Sequence, residues 1–233
     1  MPDHVPSRSK VRPTSGSATT SLDLVLCTTH GRALAVLLVR GSAREGWTLP
    51  WAGITTGAVL EPSAVRLAAS ASGAPAAWLA QCGTITDTRR HPGGAVLSVG
   101  FIGVAPSRAV PPAMGQWFPV SELPALAPRQ KALLDLGLAA LRDRMDVTPV
   151  AFHLLPRTFT LSELQEVYEI LLGRRLHKAS FRRALQAAYL VEPTDEWRSE
   201  GRGRPAQLFK FAPRKRRSHQ VARRAVRFDL LGG

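Results

Sequence analysis

Runs of apolar residues separated by polar turns set out most of the chain before any chemistry is considered. Leu22 to Cys27 and Ala33 to Val39 are nearly unbroken apolar stretches around His30-Gly31, the pattern of two strands covered on both faces and joined by a turn. Leu60 to Ser72 has helical spacing, with Pro62 in the first turn, where its missing N–H is harmless. Strand-like runs follow at Leu79–Thr86 and Ala95–Val104, separated by the polar stretch Arg89 to Gly94. Trp117 to Val120 supplies a further extended piece, and a helix is predicted from about Arg129 to Arg144. Strands mixed with helices placed between and after them imply an α/β layered domain. A linker is expected near Asp146 to Pro149.

The remainder changes character. Thr160-Leu161-Ser162-Glu163 is a capping box: the threonine oxygen accepts an amide proton from the first turn and the glutamate reaches back to the cap. Leu161, Leu164, Val167 or Tyr168, and Leu171 form an apolar stripe on the helix that follows, and Gly173 ends it. A second helix begins at about Lys178, with Phe181, Ala184, Leu185 and Ala188 on its inner face. Two helices across a tight glycine-containing turn make a helix-turn-helix pattern. Ala179, Arg183 and Gln186, flanked by Lys178, Ser180 and Arg182, lie about half a turn from Phe181 and would face a DNA groove. Arginine can pair bidentately with guanine, glutamine with adenine, and a small alanine lets a helix approach closely. Tyr189–Glu192 and Gln207–Phe211 are expected to pair as strands around a loop, 193–205, that reads as a wing. Gly201 and Gly203 there permit close approach, and Arg198, Arg202 and Arg204 supply cations for phosphate or a narrow minor groove. A solvated helical surface would show the same outward arginines, and the wing is what favours DNA.

Charge sharpens this picture. Lysine and arginine number 31 against 17 aspartates and glutamates, a formal net charge of +14, which suits a polyanionic partner. Residues 151–233 hold 17 basic and 8 acidic side chains, against 14 and 9 in residues 1–150, so the shorter part carries most of the excess. The basic stretch 213–233 is either a solubilising tail or a DNA contact. Cys27 and Cys82 are too few for a disulfide framework and have no zinc-binding spacing, which points to a reducing, cytoplasmic setting. No signal peptide or membrane-spanning run is evident, and residues 1–20 have the composition of a mobile tail.

The residues named so far resemble a known family. Thr148-Pro149, Phe159-Thr160-Leu161, Glu163-Leu164-Gln165 and the run Gly201 to Leu208 look like the C-terminal domain of the Nudix-related transcriptional regulators. Leu49-Pro50, Gly57, Leu60-Glu61, Ala64, Arg66, Gly73, Trp117 to Val120 and Glu122-Leu123-Pro124 resemble its Nudix-like half, so the match runs from about Leu22 to Phe211. The resemblance implies a Nudix-like α/β/α sandwich over 21–146 for effector sensing and dimerisation, then a winged helix-turn-helix over 147–212, an α/β (α+β) fold overall. It further implies a homodimeric repressor on a palindromic double-stranded operator, released by ADP-ribose or a related nucleotide, with Arg40, Trp47 and Arg66 as effector-binding candidates. No cofactor or metal is expected.

The departures bear on catalysis. A working Nudix box needs several glutamates on one helix face, because magnesium requires hard oxygen ligands. On this chain the box's opening glycine falls on Ala52, its first glutamate on Ala58, the following one on Leu67 and the metal-binding pair on Ser70 and Ala71. The family's phenylalanine-aspartate-histidine run is Pro128-Arg129-Gln130 here, and its paired glycines after Leu49-Pro50 are Trp51 and Ala52, large enough to fill ligand space. A sequence-specific regulator without enzymatic activity is the leading expectation. A Nudix-type pyrophosphohydrolase and a non-selective nucleic-acid scaffold are the alternatives.

Overall fold

The computed structural model describes residues 19–41, 46–86, 90–106, 111–145, 148–199 and 204–212. The expected tails, Arg89, Asp146-Val147 and the wing tip with Gly201, Arg202 and Gly203 lie outside these residues.

The first unit is built on a long strand, β1 (Thr20–His30), buried along almost its whole length. Its N-terminal half pairs antiparallel with β4 (Trp51–Ile54), its C-terminal half with β2 (Ala33–Arg40), and its other edge lies parallel to β6 (Leu97–Val104). The two-residue β3 (Trp47–Thr48) and β7 (Gln116–Pro119) add to β2, and β5 (Trp78–Ile85) adds to β6. Helices cover both faces, which is why β1 and β2 read as unbroken apolar runs. Helix α1 (Leu60–Ser72) buries Ala64, Ala68 and Ala71 against the face carrying Leu22, Leu24, Leu26, Leu37 and Phe101. Helix α2 (Pro128–Met145) lays Leu133, Leu134, Leu138 and Leu141 on the opposite face, against Val25, Cys27, Val36, Leu38 and Ile102.

The second unit opens with a short 3-10 turn, Val150–Leu154, and β8 (Thr158–Phe159). Helices α3 (Leu161–Leu172) and α4 (Lys178–Ala188) follow, then the strands β9 (Val191–Arg198) and β10 (Ala206–Phe211), with sheet order β8-β10-β9.

Several expectations are corrected at this level. Thr148 and Pro149 of the expected linker are half-buried, and Val150 and Ala151, which follow at once, are fully buried in the core shared by both units. Strand β9 runs on to Arg198, so the wing strands are longer and the loop shorter than expected. Pro193 is tolerated inside β9 because that strand lies at the sheet edge and needs no second partner for its nitrogen. Tyr189 is not in a strand but caps α4 in the left-handed region at φ 52°. Ala184 and Ala188 are half-buried rather than core residues. The short strands β3, β4 and β8 have too few residues for any period to be read.

Close approach sets one glycine of α2. A β-carbon on Gly137 would lie 2.8 and 2.9 Å from Cγ2 and Cβ of Val25, a buried β-branched residue of β1 with no room to yield. At an exposed helical site glycine to alanine would gain up to about 1 kcal/mol. Gly137→Ala should instead destabilise the protein by about 1–3 kcal/mol, read from urea or thermal unfolding, because overpacking outweighs propensity.

Candidate nucleic-acid interface

The capping box at the start of α3 forms as its spacing requires. Glu163 N–H donates to Thr160 Oγ1 at 3.1 Å, and Thr160 N–H donates to the Glu163 carboxylate at 2.6 Å. The second oxygen of that carboxylate accepts from Arg198 at 2.7 Å, so the end of β9 is tied to the start of α3. Arg198 thus holds the wing in position as well as carrying charge at its base.

The turn between the helices is pinned with similar economy. Gly173 takes the left-handed conformation, φ 70°, that lets α3 end abruptly. Glu169 then accepts from Leu176 N–H at 2.9 Å and from Gln165 Nε2 at 2.9 Å, while Gln165 also donates to Leu176 O. Burial pushes the Glu169 carboxyl upward, but these donors and the nearby Arg175 and Arg32 more than offset it and hold it below its ordinary value.

Helix α4 leaves this turn with Phe181 and Leu185 buried, and Phe181 meets Tyr168 of α3 edge-on with ring centroids 5.5 Å apart. Because one stripe is anchored, the opposite side must face solvent. Lys178, Ala179, Ser180, Arg182, Arg183 and Gln186 are all exposed, and α4 contains no acidic residue. At 100° per residue, Ala179, Arg183 and Gln186 fall within about 60° of one another, a single outward ridge. Arg204 is exposed where the chain re-enters β10. The wing also presents Trp197, 61% exposed and paired across the ladder with Gln207. It is missing from the residues picked out in the sequence. Its only signal there is an aromatic side chain inside a run of charges.

The sensor candidates do not converge. The Arg40 guanidinium lies 4.1 Å from the Trp47 ring centroid, and Trp47 meets Phe118 edge-on. Arg66, however, projects from α1, on the other side of the sheet from the core against which Trp47 packs, and donates to Ser63 Oγ. Trp51 packs edge-on against His91 at 5.0 Å, and a β-carbon on Gly93 would sit 2.4 Å from its ring, so this indole does fill space beside β4.

Beneath Trp51 lies a buried polar network that the sequence did not announce. Asp23 accepts from His91 Nε2 at 2.8 Å, Gln130 Nε2 at 3.3 Å and Ser21 Oγ at 2.6 Å, while Gln130 Oε1 accepts from Leu49 N–H at 2.7 Å. His91 Nδ1 accepts from Gly93 N–H, which leaves the ring proton on Nε2 for Asp23. Next to Gln130, the buried Arg129 donates to the carbonyls of Ala95, Val96 and Ile85. Pro128-Arg129-Gln130 is thus a structural brace between α2 and the sheet.

Magnesium does not fit α1. Ser70 Oγ donates to Leu67 O in its own helix, Ala71 is buried against the sheet, and Leu67 packs on the same apolar cluster. Among the described residues no group of three or more histidine, cysteine, aspartate or glutamate side chains could hold a metal. Burial raises the Cys27 thiol to about 12 and that of Cys82 to about 11, so neither is a thiolate near neutral pH. Among the described residues no helix is long and apolar enough to cross a membrane.

Comparison with known proteins bears on this arrangement directly. Residues 151–211 match the family described as the NrtR DNA-binding winged helix domain. The chain is 28% identical over 204 residues to the ADPR responsive transcriptional repressor NtrR of Acinetobacter baylyi, covering 82% of this chain and 81% of the relative. The crystal structure of Shewanella oneidensis NrtR complexed with a 27mer DNA superposes with a TM-score of 0.70 at 29% identity, covering 83% of this chain and 94% of that one. A MutT/nudix family protein from Enterococcus faecalis gives a TM-score of 0.66 at 17% identity, covering 85% of this chain and 89% of that one, a likeness of fold alone. With a helix-covered sheet in front and a winged helix domain of the NrtR type at residues 151–211, the chain is similar over four-fifths of its length to the Nudix-related transcriptional regulators.

Proposed function

We propose that this protein is a sequence-specific DNA-binding repressor that places α4 in the major groove of a palindromic operator as a homodimer and lays its wing along the backbone. The observation that carries this reading is the outward face of α4: three cations, one glutamine, one serine and a small alanine, no carboxylate, on a helix held by the buried Phe181 and Leu185. Arg183 and Gln186 are proposed to read base edges. Lys178, Ser180, Arg182, Arg198, Arg202 and Arg204 are proposed to position the backbone. Ala179 sets the depth of approach.

The effector is proposed to be a nucleotide such as ADP-ribose, the response named for the Acinetobacter relative. The Arg40–Trp47 pair supports it, since an indole beside a guanidinium offers a base a stacking face and a phosphate a partner. Arg66, lying across the sheet, would have to act at a separate place. We further propose that the sensor domain has no pyrophosphatase activity, because α1 offers only Glu61 as a carboxylate. Its site of action is proposed to be the cytoplasm.

Selection from a random duplex library should return a palindrome. Arg183→Ala should relax preference at one position of each half-site, a loss of about 1–3 kcal/mol in discrimination, whereas Arg204→Ala should weaken binding to all duplexes alike and lower the salt slope by about 1. Equal effects of the two changes, or no selection at all, would overturn the reading. Deleting residues 213–233 should leave selectivity intact; under the scaffold alternative binding collapses. Incubation of pure protein with ADP-ribose and magnesium should yield no AMP by chromatography, and magnesium-dependent turnover above a buffer control would restore the hydrolase alternative.

A further inference from the structure

The sensor and the reader meet along α3, and a cleft of about 400 Å³ opens beside that contact. Its walls come from both units: Arg32 on the β1–β2 turn and Arg142 near the end of α2 on one side, Arg174 and Arg175 from the helix-turn-helix turn on the other. Two carboxylates, Glu166 and Glu169 of α3, face these four guanidiniums. The imbalance is two positive charges in one concavity, floored by the apolar Leu34, Val120 and Ile170.

The pairs present are weak. Arg32 lies 3.1 Å from Glu166 and Arg175 3.5 Å from Glu169, with the two arginine side chains 72% and 82% exposed. Exposed pairs of this kind contribute little. Among the described residues no carboxylate lies within ion-pair distance of Arg142 or Arg174. Planar guanidiniums converging on a concave space are matched to phosphate oxygens, which they can grip bidentately. The volume lies in the range of small-molecule sites.

We propose that this cleft binds a compact phosphate-bearing anion, of the diphosphate class, and that the anion regulates the reader by drawing Arg32 and Arg175 away from Glu166 and Glu169. Glu169 is the carboxylate that holds Leu176 N–H in the turn leading to α4, and Arg32 is a polar tie from the sensor to α3. An anion seated between them therefore acts on the segment that aims α4. The site is distinct from the Arg40–Trp47 pair and from α1. Its effect on operator affinity rests on the regulator reading, whereas occupancy of the cleft does not.

Inorganic pyrophosphate is the probe, titrated into the full-length protein by calorimetry at constant ionic strength without DNA. One saturable site per chain is expected. The double change Arg142→Gln, Arg174→Gln should weaken it by about tenfold or more, since each lost charge-assisted bond is worth roughly a factor of ten. The charge-matched control Arg90→Gln, Lys131→Gln, away from the cleft, should retain the affinity. Both variants alter exposed side chains, and an unchanged melting temperature without ligand verifies their fold. Absence of saturable binding, or equal loss in both variants, would overturn the proposal. So would a phosphate contact made by the duplex: in that case the Arg142, Arg174 variant binds all DNA more weakly with a shallower salt slope, and pyrophosphate binds neither protein. If pyrophosphate binds as expected but the protein selects no DNA sequence, the cleft stands and the regulator reading falls.

Discussion

The structure depends on one continuous apolar core that crosses from sensor to reader. Val36, Leu38 and Ile102 of the sheet, Leu134, Leu138 and Leu141 of α2, the turn residues Val150 and Ala151, and Leu164, Tyr168, Leu171, Phe181 and Leu185 of the two reader helices belong to the same cluster. Dispersion and burial at this junction, at about 25 cal/mol per Å² of apolar area, far exceed what exposed ion pairs can supply. The core therefore fixes where α4 points. The exposed Arg32–Glu166 contact beside it adds little to that stability and serves as a polar tie between the sensor and α3.

The same front half keeps a sheet covered by helices on both faces, with few carboxylates on α1. Its sheet and two covering helices are intact, but the face of α1 that would carry metal ligands holds leucine, serine and alanine. On the opposite side of the sheet, Asp23, His91, Gln130 and Arg129 knit the strands to α2 through buried hydrogen bonds. A buried carboxylate with three donors is costly to form but costlier to break, since removing one partner strands the others in a dry site. Trp51 closes over it.

Much of this was legible along the chain because it rests on neighbours in sequence. The capping box spans four residues, and both of its hydrogen bonds form. Lys178, Ala179, Ser180, Arg182, Arg183 and Gln186 are exposed because Phe181 and Leu185, one to three residues away on the same helix, are not. The empty Nudix positions on α1 could be read directly. Features set by distant partners were not legible: β9 extends past Pro193 because β10 pairs with it at the sheet edge, and Arg40 and Arg66 lie apart because α1 is on the other side of the sheet.

Sequence alone thus determined the longer elements, the helix-turn-helix with its polar outward ridge, the surplus of positive charge and the scarcity of carboxylates on α1, all properties of residue type and short-range period. Tertiary structure decided the rest. The His91–Asp23 bond joins residues 68 positions apart, that of Gln130 with Asp23 spans 107, and Arg198 reaches Glu163 across 35. No local spacing constrains such pairs, so which of the 31 basic side chains meet a carboxylate, and which are left to line a cleft, is settled only when the apolar core brings the two units together.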